Sequence, residues 1–335
     1  MHEQDRQVSS SSVSPSLNLS TVHRFRNVAM IATAATYFLI FIGGVVRVSG
    51  SGLGCPDWPT CYGLWIPPTD ISQIPAGYDT AGFNALHSWI DYVHRFLGVV
   101  VGFLVLITAG LAVKSFSRIP GIVIPSLFAL VLVICEGWLG TEVVSSKLEP
   151  FVVTVHMVIA LVVVSLMIYV THQAYLFERP ETEAAASYPD KAAGWAVLLW
   201  AIGIFQIGLG TQVREKLEFI NQQFPMLTQE QWIRQIGTVG FIHAFSGAVI
   251  CAVTWFIGFR ILRLSKKSSR LVQQVLNGVM GLSLVEILIG VALVVLGMPD
   301  LLQLFHQWIS SLYIGLLLIL YSSVRLKKST GVSLI

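Results

Sequence analysis

Four histidines occupy matched places in the hydrophobic stretches of this 335-residue chain. His94 and His156 in the first half reappear as His243 and His306 in the second, 149 and 150 residues on. Their neighbours travel with them: HRFLG at 94–98 matches HAFSG at 243–247, and EGWLG at 136–140 matches EILIG at 286–290. Glu136 and Glu286 each lie 20 residues before a histidine, and the residue four positions after each histidine is small: Gly98, Ala160, Gly247 and Ser310. Positions i and i+4 share a helix face, so a small residue there leaves clearance for a planar macrocycle beside an axial ligand. Close approach of membrane helices explains small residues equally well at any single site. The pattern lacks the Cys or carboxylate cluster of a zinc or di-iron site. Taken together, the four histidines point to axial ligation of haem iron.

Other residue types could serve that centre. Arg47 and Arg214 end matched segments, GGVVR at 43–47 and GTQVR at 210–214. A guanidinium suits a carboxylate bidentately, so haem propionates are candidate partners, with interfacial snorkelling the competing reading. Glu136 and Glu286 are ionisable groups inside apolar runs. That marks them as functional candidates, against the alternative of protonated side chains bonding a neighbouring helix. Cys55 and Cys61 bracket CPDWPTC, whose spacing and two prolines could close a small disulfide, structural or redox-active. Cys135 and Cys251 fall within apolar runs and are expected to be inert.

The elements that position these groups follow from composition. The chain is 54% hydrophobic and 12% charged, with 21 Lys+Arg, 18 Asp+Glu and a net charge of +3; its mean hydropathy is +0.73. Soluble domains carry about 25% charged residues, so most of this chain belongs in lipid. A span needs roughly 20 apolar residues. Eight such stretches lie near residues 27–47, 88–113, 120–145, 150–174, 192–212, 236–262, 272–297 and 300–323. They are long and continuous rather than short and alternating, which predicts helices rather than strands.

Basic residues gather in every second connection. Arg24, Arg26, Lys114, Arg118, Arg260, Arg263, Lys266, Lys267, Arg270, Arg325, Lys327 and Lys328 all fall on one side, which the positive-inside rule makes cytoplasmic. Both termini are then inside, and all four histidines sit roughly 10 Å below the outer interface. The expected organisation is a disordered tail over 1–26, a four-helix half over 27–175, a cytoplasmic linker over 176–191, a second four-helix half over 192–324 and a tail over 325–335. The first span is read as retained rather than as a signal peptide. An even number of spans per unit makes the halves parallel repeats.

The stretch GGVVRVSGSGLGCPDWPTCYGLWIPP at 43–68, followed by DYVHR at 91–95, resembles the haem A synthases, and the resemblance extends over all eight expected helices. It implies an oxidoreductase of the plasma or inner membrane that converts the C8 methyl of haem O to the formyl of haem A by successive hydroxylations. It further implies that His94 and His156 hold the substrate haem and that His243 and His306 hold a haem b cofactor. Asp91, three residues before His94, stands where the family often has glutamate, and the resemblance makes it the candidate catalytic carboxylate. The second cysteine pair that some members carry is missing from 214–236, so any thiol role falls to Cys55 and Cys61. A haem O-producing farnesyltransferase is the implied partner. The sequence leaves the electron acceptor and any homo-oligomer open and points to no nucleic acid.

The rival reading is a two-haem b-type electron-transfer cytochrome, which would use the same histidines without turnover. Asp91 and the decorated Cys55–Cys61 loop favour the enzyme, since a simple carrier needs neither. A transporter ranks third.

Overall fold

The computed structural model describes residues 19–178, 186–265 and 268–325. Among these the chain is helical, with no strand beyond an isolated bridge between Cys61 and Leu64. The elements are α1 (Leu19–Val48), two short 3₁₀ turns at Ser51–Leu53 and Ile71–Gln73, α2 (Ala85–Phe116), α3 (Pro120–Ser145) and α4 (Pro150–Glu178). After them come α5 (Ala192–Gln223), α6 (Gln229–Gln235), α7 (Thr238–Leu264), α8 (Arg270–Val295) and α9 (Asp300–Arg325). All except α6 are long and apolar enough to span a bilayer, giving eight candidate spans. The chain is an integral, multi-pass membrane protein.

The helices begin where local chemistry satisfies their free N–H groups. Asn84 Oδ1 accepts from His87 N at the start of α2 (3.2 Å), and Ser269 Oγ accepts from Val272 N at the start of α8 (3.2 Å). Pro120 opens α3, where its missing N–H costs nothing.

Several helices outrun the apolar stretches that announced them, because backbone hydrogen bonding continues past the lipid boundary. α5 runs on through Arg214–Gln223, and α6 arises in the following loop from a Thr228–Gln231 capping box. α1 starts at Leu19, so residues 19–26 of the expected disordered tail are helical. Val22 and Phe25 are buried there, and Arg26 pairs with Glu178 of α4. The rest of that tail, residues 179–185 of the expected linker, Lys266, Lys267 and the end of the C-terminal tail lie outside the described residues.

Packing divides the spans into two groups. α1 contacts α2 and α4, and α3 contacts the same two; α5 contacts α7 and α9, and α8 contacts those two. A seam of α9 against α1 and α4, and of α4 against α5, joins the groups. Hydrogen bonds cross the seam from Trp308 Nε1 to the Tyr37 carbonyl (3.3 Å) and from Trp200 Nε1 to Ser165 Oγ (3.1 Å). His172 of α4 also crosses it, its Nδ1 2.7 Å from Ser322 Oγ of α9. Such bonds hold helices together where lipid offers no hydrophobic drive.

Each group has its solid core at one end. In the first, Phe25 and Ala29 of α1 meet Ala112 and Phe116 of α2, Ile122 of α3 and Ala174 of α4. In the second, Ala196 and Leu199 of α5 meet Ile257 and Ile261 of α7, Leu276 of α8 and Leu320 of α9. Both cores sit at the starts of α1, α3, α5 and α8 and the ends of α2, α4, α7 and α9. The four histidines occupy the other ends, where packing is looser.

Candidate functional site

The histidines come together in pairs, one pair per group. The rings of His243 on α7 and His306 on α9 lie 6.3 Å apart between centroids and nearly perpendicular, at 82°. His94 on α2 lies within electrostatic reach of His156 on α4. In both groups a carboxylate from the intervening helix stands behind the second histidine. Glu136 Oε2 is 2.8 Å from His156 Nδ1, and Glu286 Oε2 is 2.8 Å from His306 Nδ1. An iron-ligating imidazole characteristically gives its other N–H to a carboxylate, which fixes tautomer and ring angle. The two glutamates would give that support to His156 and His306 as ligands.

Glycine clears the first histidine of each pair. A Cβ on Gly43 of α1 would lie 3.2 Å from His94 Nε2, and one on Gly210 of α5 would lie 3.1 Å from His243 Cε1. The small residues four positions after the histidines have mixed roles. Gly98 faces open space, as clearance for a macrocycle requires. Gly247 instead makes room for the Gln206 amide, 3.1 Å from where its Cβ would be. The Ser310 hydroxyl bonds Glu286 Oε2 (3.0 Å).

A cavity of about 690 Å³ opens beside His243 and His306, also walled by Gly210, Glu286, Arg47 and Arg214. That is within the usual range for cofactor pockets. Arg47 belongs to α1, so the first group supplies one wall of the second group's cavity. Arg47 Nη2 approaches Glu215 Oε1 only to 3.9 Å, and Arg214 Nη1 donates to Gln303 Oε1. Arg47 Nη2 and Arg214 Nε are buried with no hydrogen-bond partner, leaving donors available to an anionic ligand group. Paired imidazoles, an apolar cavity and spare guanidinium donors fit a haem with its propionates.

The first group has in addition a built loop above its histidines. The Sγ atoms of Cys55 and Cys61 lie 1.97 Å apart, and both residues are buried with Tyr62 against Tyr78, Phe83 and Tyr92. Burial, Asp79 and Asp57 push the Tyr62 hydroxyl up from its ordinary pKa. Gly54 lets the loop touch α2, since a Cβ there would lie 2.3 Å from the His87 carbonyl oxygen.

Arg95 holds the loop. It donates to the carbonyls of Cys55 (3.0 Å) and Asp57 (2.5 Å), and to both oxygens of Asp91 (3.0 and 2.9 Å). Asp91 also accepts from Cys55 N (3.0 Å). Asp91 is therefore buried and engaged with Arg95 and the loop. Sequence reading passed over Arg95, whose signal was its place four residues after Asp91 on one helix face. It also passed over Gln206, a lone amide in an apolar run.

The fold and these side chains define a polytopic helical membrane protein whose two four-helix groups each present a histidine pair backed by glutamate. A family model described as cytochrome oxidase assembly protein (COX15-CtaA) matches residues 26–318, and the chain belongs to that family. A protein of Shewanella oneidensis named heme A synthase is 27% identical over 224 residues, which is 65% of either chain and so just under two thirds of that relative's length. Proteins of the same name from Brucella ovis and Brucella suis are 23% identical over 307 residues, covering 81% of this chain and 83% of theirs.

Proposed function

We propose that the chain is a haem A synthase, an oxidoreductase that converts the C8 methyl of haem O to the formyl of haem A by successive hydroxylations. The net change adds one oxygen atom to the methyl carbon and removes two hydrogens. The observation that carries the reading is the family match over nearly all spans, joined to two histidine–glutamate pairs in one chain. An electron-transfer cytochrome would have no need of the loop that Arg95 and Asp91 hold over one pair alone.

In this reading the two groups are parallel repeats, with both termini cytoplasmic and the histidines toward the outer face. The described arginines and lysines at the densely packed ends support that orientation. His94 and His156 take the substrate haem beneath the loop. His243 and His306 take haem b, with Arg47 and Arg214 on its propionates. When bound, haem b supplies one-electron redox chemistry beside the substrate site. The chain's residues fix ring orientation through Glu136 and Glu286.

We read Cys55–Cys61 as a disulfide on the outer side. Asp91, the candidate carboxylate, is placed as the residue that holds this loop through Arg95 and Cys55 N. Three of the roughly four lone pairs of its carboxylate are engaged, so a proton would be accepted at the one left on Oδ1. The haem O-producing farnesyltransferase is the proposed partner.

Coexpression with that farnesyltransferase, followed by acid–acetone extraction and chromatography of the haems, tests the function. Haem A in the extract is the expected result. Haem O and haem b alone, from well-folded protein, would leave the electron-transfer reading in its place.

A further inference from the structure

The two histidine pairs are alike in their ligating residues but not in what holds them. In the second group Gln206 Nε2 lies 3.1 Å from His243 Nδ1 and donates to the His243 carbonyl (2.7 Å), while Gln206 Oε1 accepts from Ser246 Oγ (2.6 Å). Ser310 Oγ anchors Glu286, which backs His306. The spacings that align the histidines and Gly43 with Gly210 put Leu39, Leu97 and Ala160 at the corresponding places in the first group. Three hydrogen-bonding side chains thus face three that can form no such bond. His94 makes no side-chain hydrogen bond among the described residues, and Gly98 beside it faces open space where Gly247 meets the Gln206 amide.

We infer that Gln206, Ser246 and Ser310 are positioning residues that make the second pair a permanent haem site, and that their apolar counterparts leave the first pair able to exchange its haem. A ligand whose helix turn is held at the His243 carbonyl and Ser246, and whose partner's carboxylate is anchored by Ser310, loses little freedom when iron binds, so its haem leaves slowly. A ring or carboxylate with fewer partners releases its haem more readily, as a site that must take in substrate and discharge product requires. For His243 to ligate through Nε2, Nδ1 carries the proton. The Gln206 amide nitrogen, fixed on the His243 carbonyl, offers that proton no acceptor, so Gln206 acts through the backbone turn that carries the ring. Supports of this kind shift metal affinity by about 10- to 100-fold.

The inference rests on the assignment of His243 and His306 to the resident haem. Gln206→Leu and Ser310→Ala install the first group's own residues and change no ligand. Haem release from purified protein into excess apomyoglobin should be about 10-fold faster or more in each variant, and the low-spin electron paramagnetic resonance lines should shift as the ring is freed. Conversely, Leu39→Gln with Ala160→Ser, placed in a His306→Ala background so that only the first pair is loaded, should slow release. Should Gln206→Leu misfold, Ser310→Ala and the Leu39→Gln pair still decide the matter. Wild-type release rates and an unchanged resonance spectrum in well-folded variants overturn the inference. Retention of the low-spin haem by both His243→Ala and His306→Ala would instead overturn the assignment beneath it.

Discussion

Replacing Arg95 by methionine keeps the length of the side chain and removes every donor that ties α2 to the Cys55–Cys61 loop. Arg95 and Asp91 are 13% and 5% exposed in their side chains, so this is an ion pair largely withdrawn from water. Removing one partner of such a pair costs about 3–5 kcal/mol, because the other charge stays buried alone. Asp91 keeps only the Cys55 N–H, and the carbonyls of Cys55 and Asp57 lose their guanidinium partner. The solid cores of both groups lie at the far end of the helices, so the penalty falls on the loop rather than on the bundle. The loop should become protease-sensitive between Gly50 and Gly63 while haem b content in the second pair stays at the wild-type level. Haem O should accumulate, since the substrate site loses its cover. Asp91→Asn keeps one acceptor oxygen and costs less, about 1.5–3 kcal/mol for a charged hydrogen bond, and should give the same phenotype in weaker form. Asp91→Glu retains the charge and should retain haem A formation. Full haem A yield from a loop-intact Arg95→Met protein would refute the clasp. A change in the pH dependence of turnover in Asp91 variants alone, with the loop still protease-resistant, would return Asp91 to proton transfer.

His243→Ala or His306→Ala should abolish the low-spin b-type spectrum of purified protein, measured as the reduced-minus-oxidised difference. Glu286→Gln keeps the shape of the carboxylate but removes its charge from His306, and should lower haem b occupancy by about 10-fold or more in a pyridine haemochrome assay. Alkylation of native membranes followed by mass spectrometry should find Cys55 and Cys61 unlabelled without reductant. Cys→Ser variants should still fold, because closing so short a loop contributes about 2–3 kcal/mol at most. Arg47→Gln should weaken haem b retention even though Arg47 lies outside the second group, read by the same haemochrome assay.

Much of this was legible in the residues because membrane helices announce themselves by length and apolarity, and because the recurring spacing lets one half of the sequence check the other. The spans fall where the hydropathy puts them. The pairing of Glu136 with His156 and of Glu286 with His306 gives a physical meaning to the equal spacing of 20 residues. What the pattern hid is lateral. No one-dimensional reading says that Arg47 lines the cavity of the other group, or that Gly247 serves a glutamine rather than a macrocycle. Helix ends beyond the lipid boundary were also hidden, since hydropathy reports the bilayer and not the backbone. Arg95 escaped because its partners are mostly carbonyls of a loop some 35–40 residues away.

The placement of Arg47 ties one group's site to the other group's helices. A side chain of the first group, with Val48 and Met157, forms part of the wall of the second group's cavity. The C-terminal half expressed by itself would therefore present a breached chamber, open to lipid where α1 and α4 should stand. The first group therefore cannot be removed without opening the second group's cavity, and the second site is the property of the whole chain rather than of its C-terminal half.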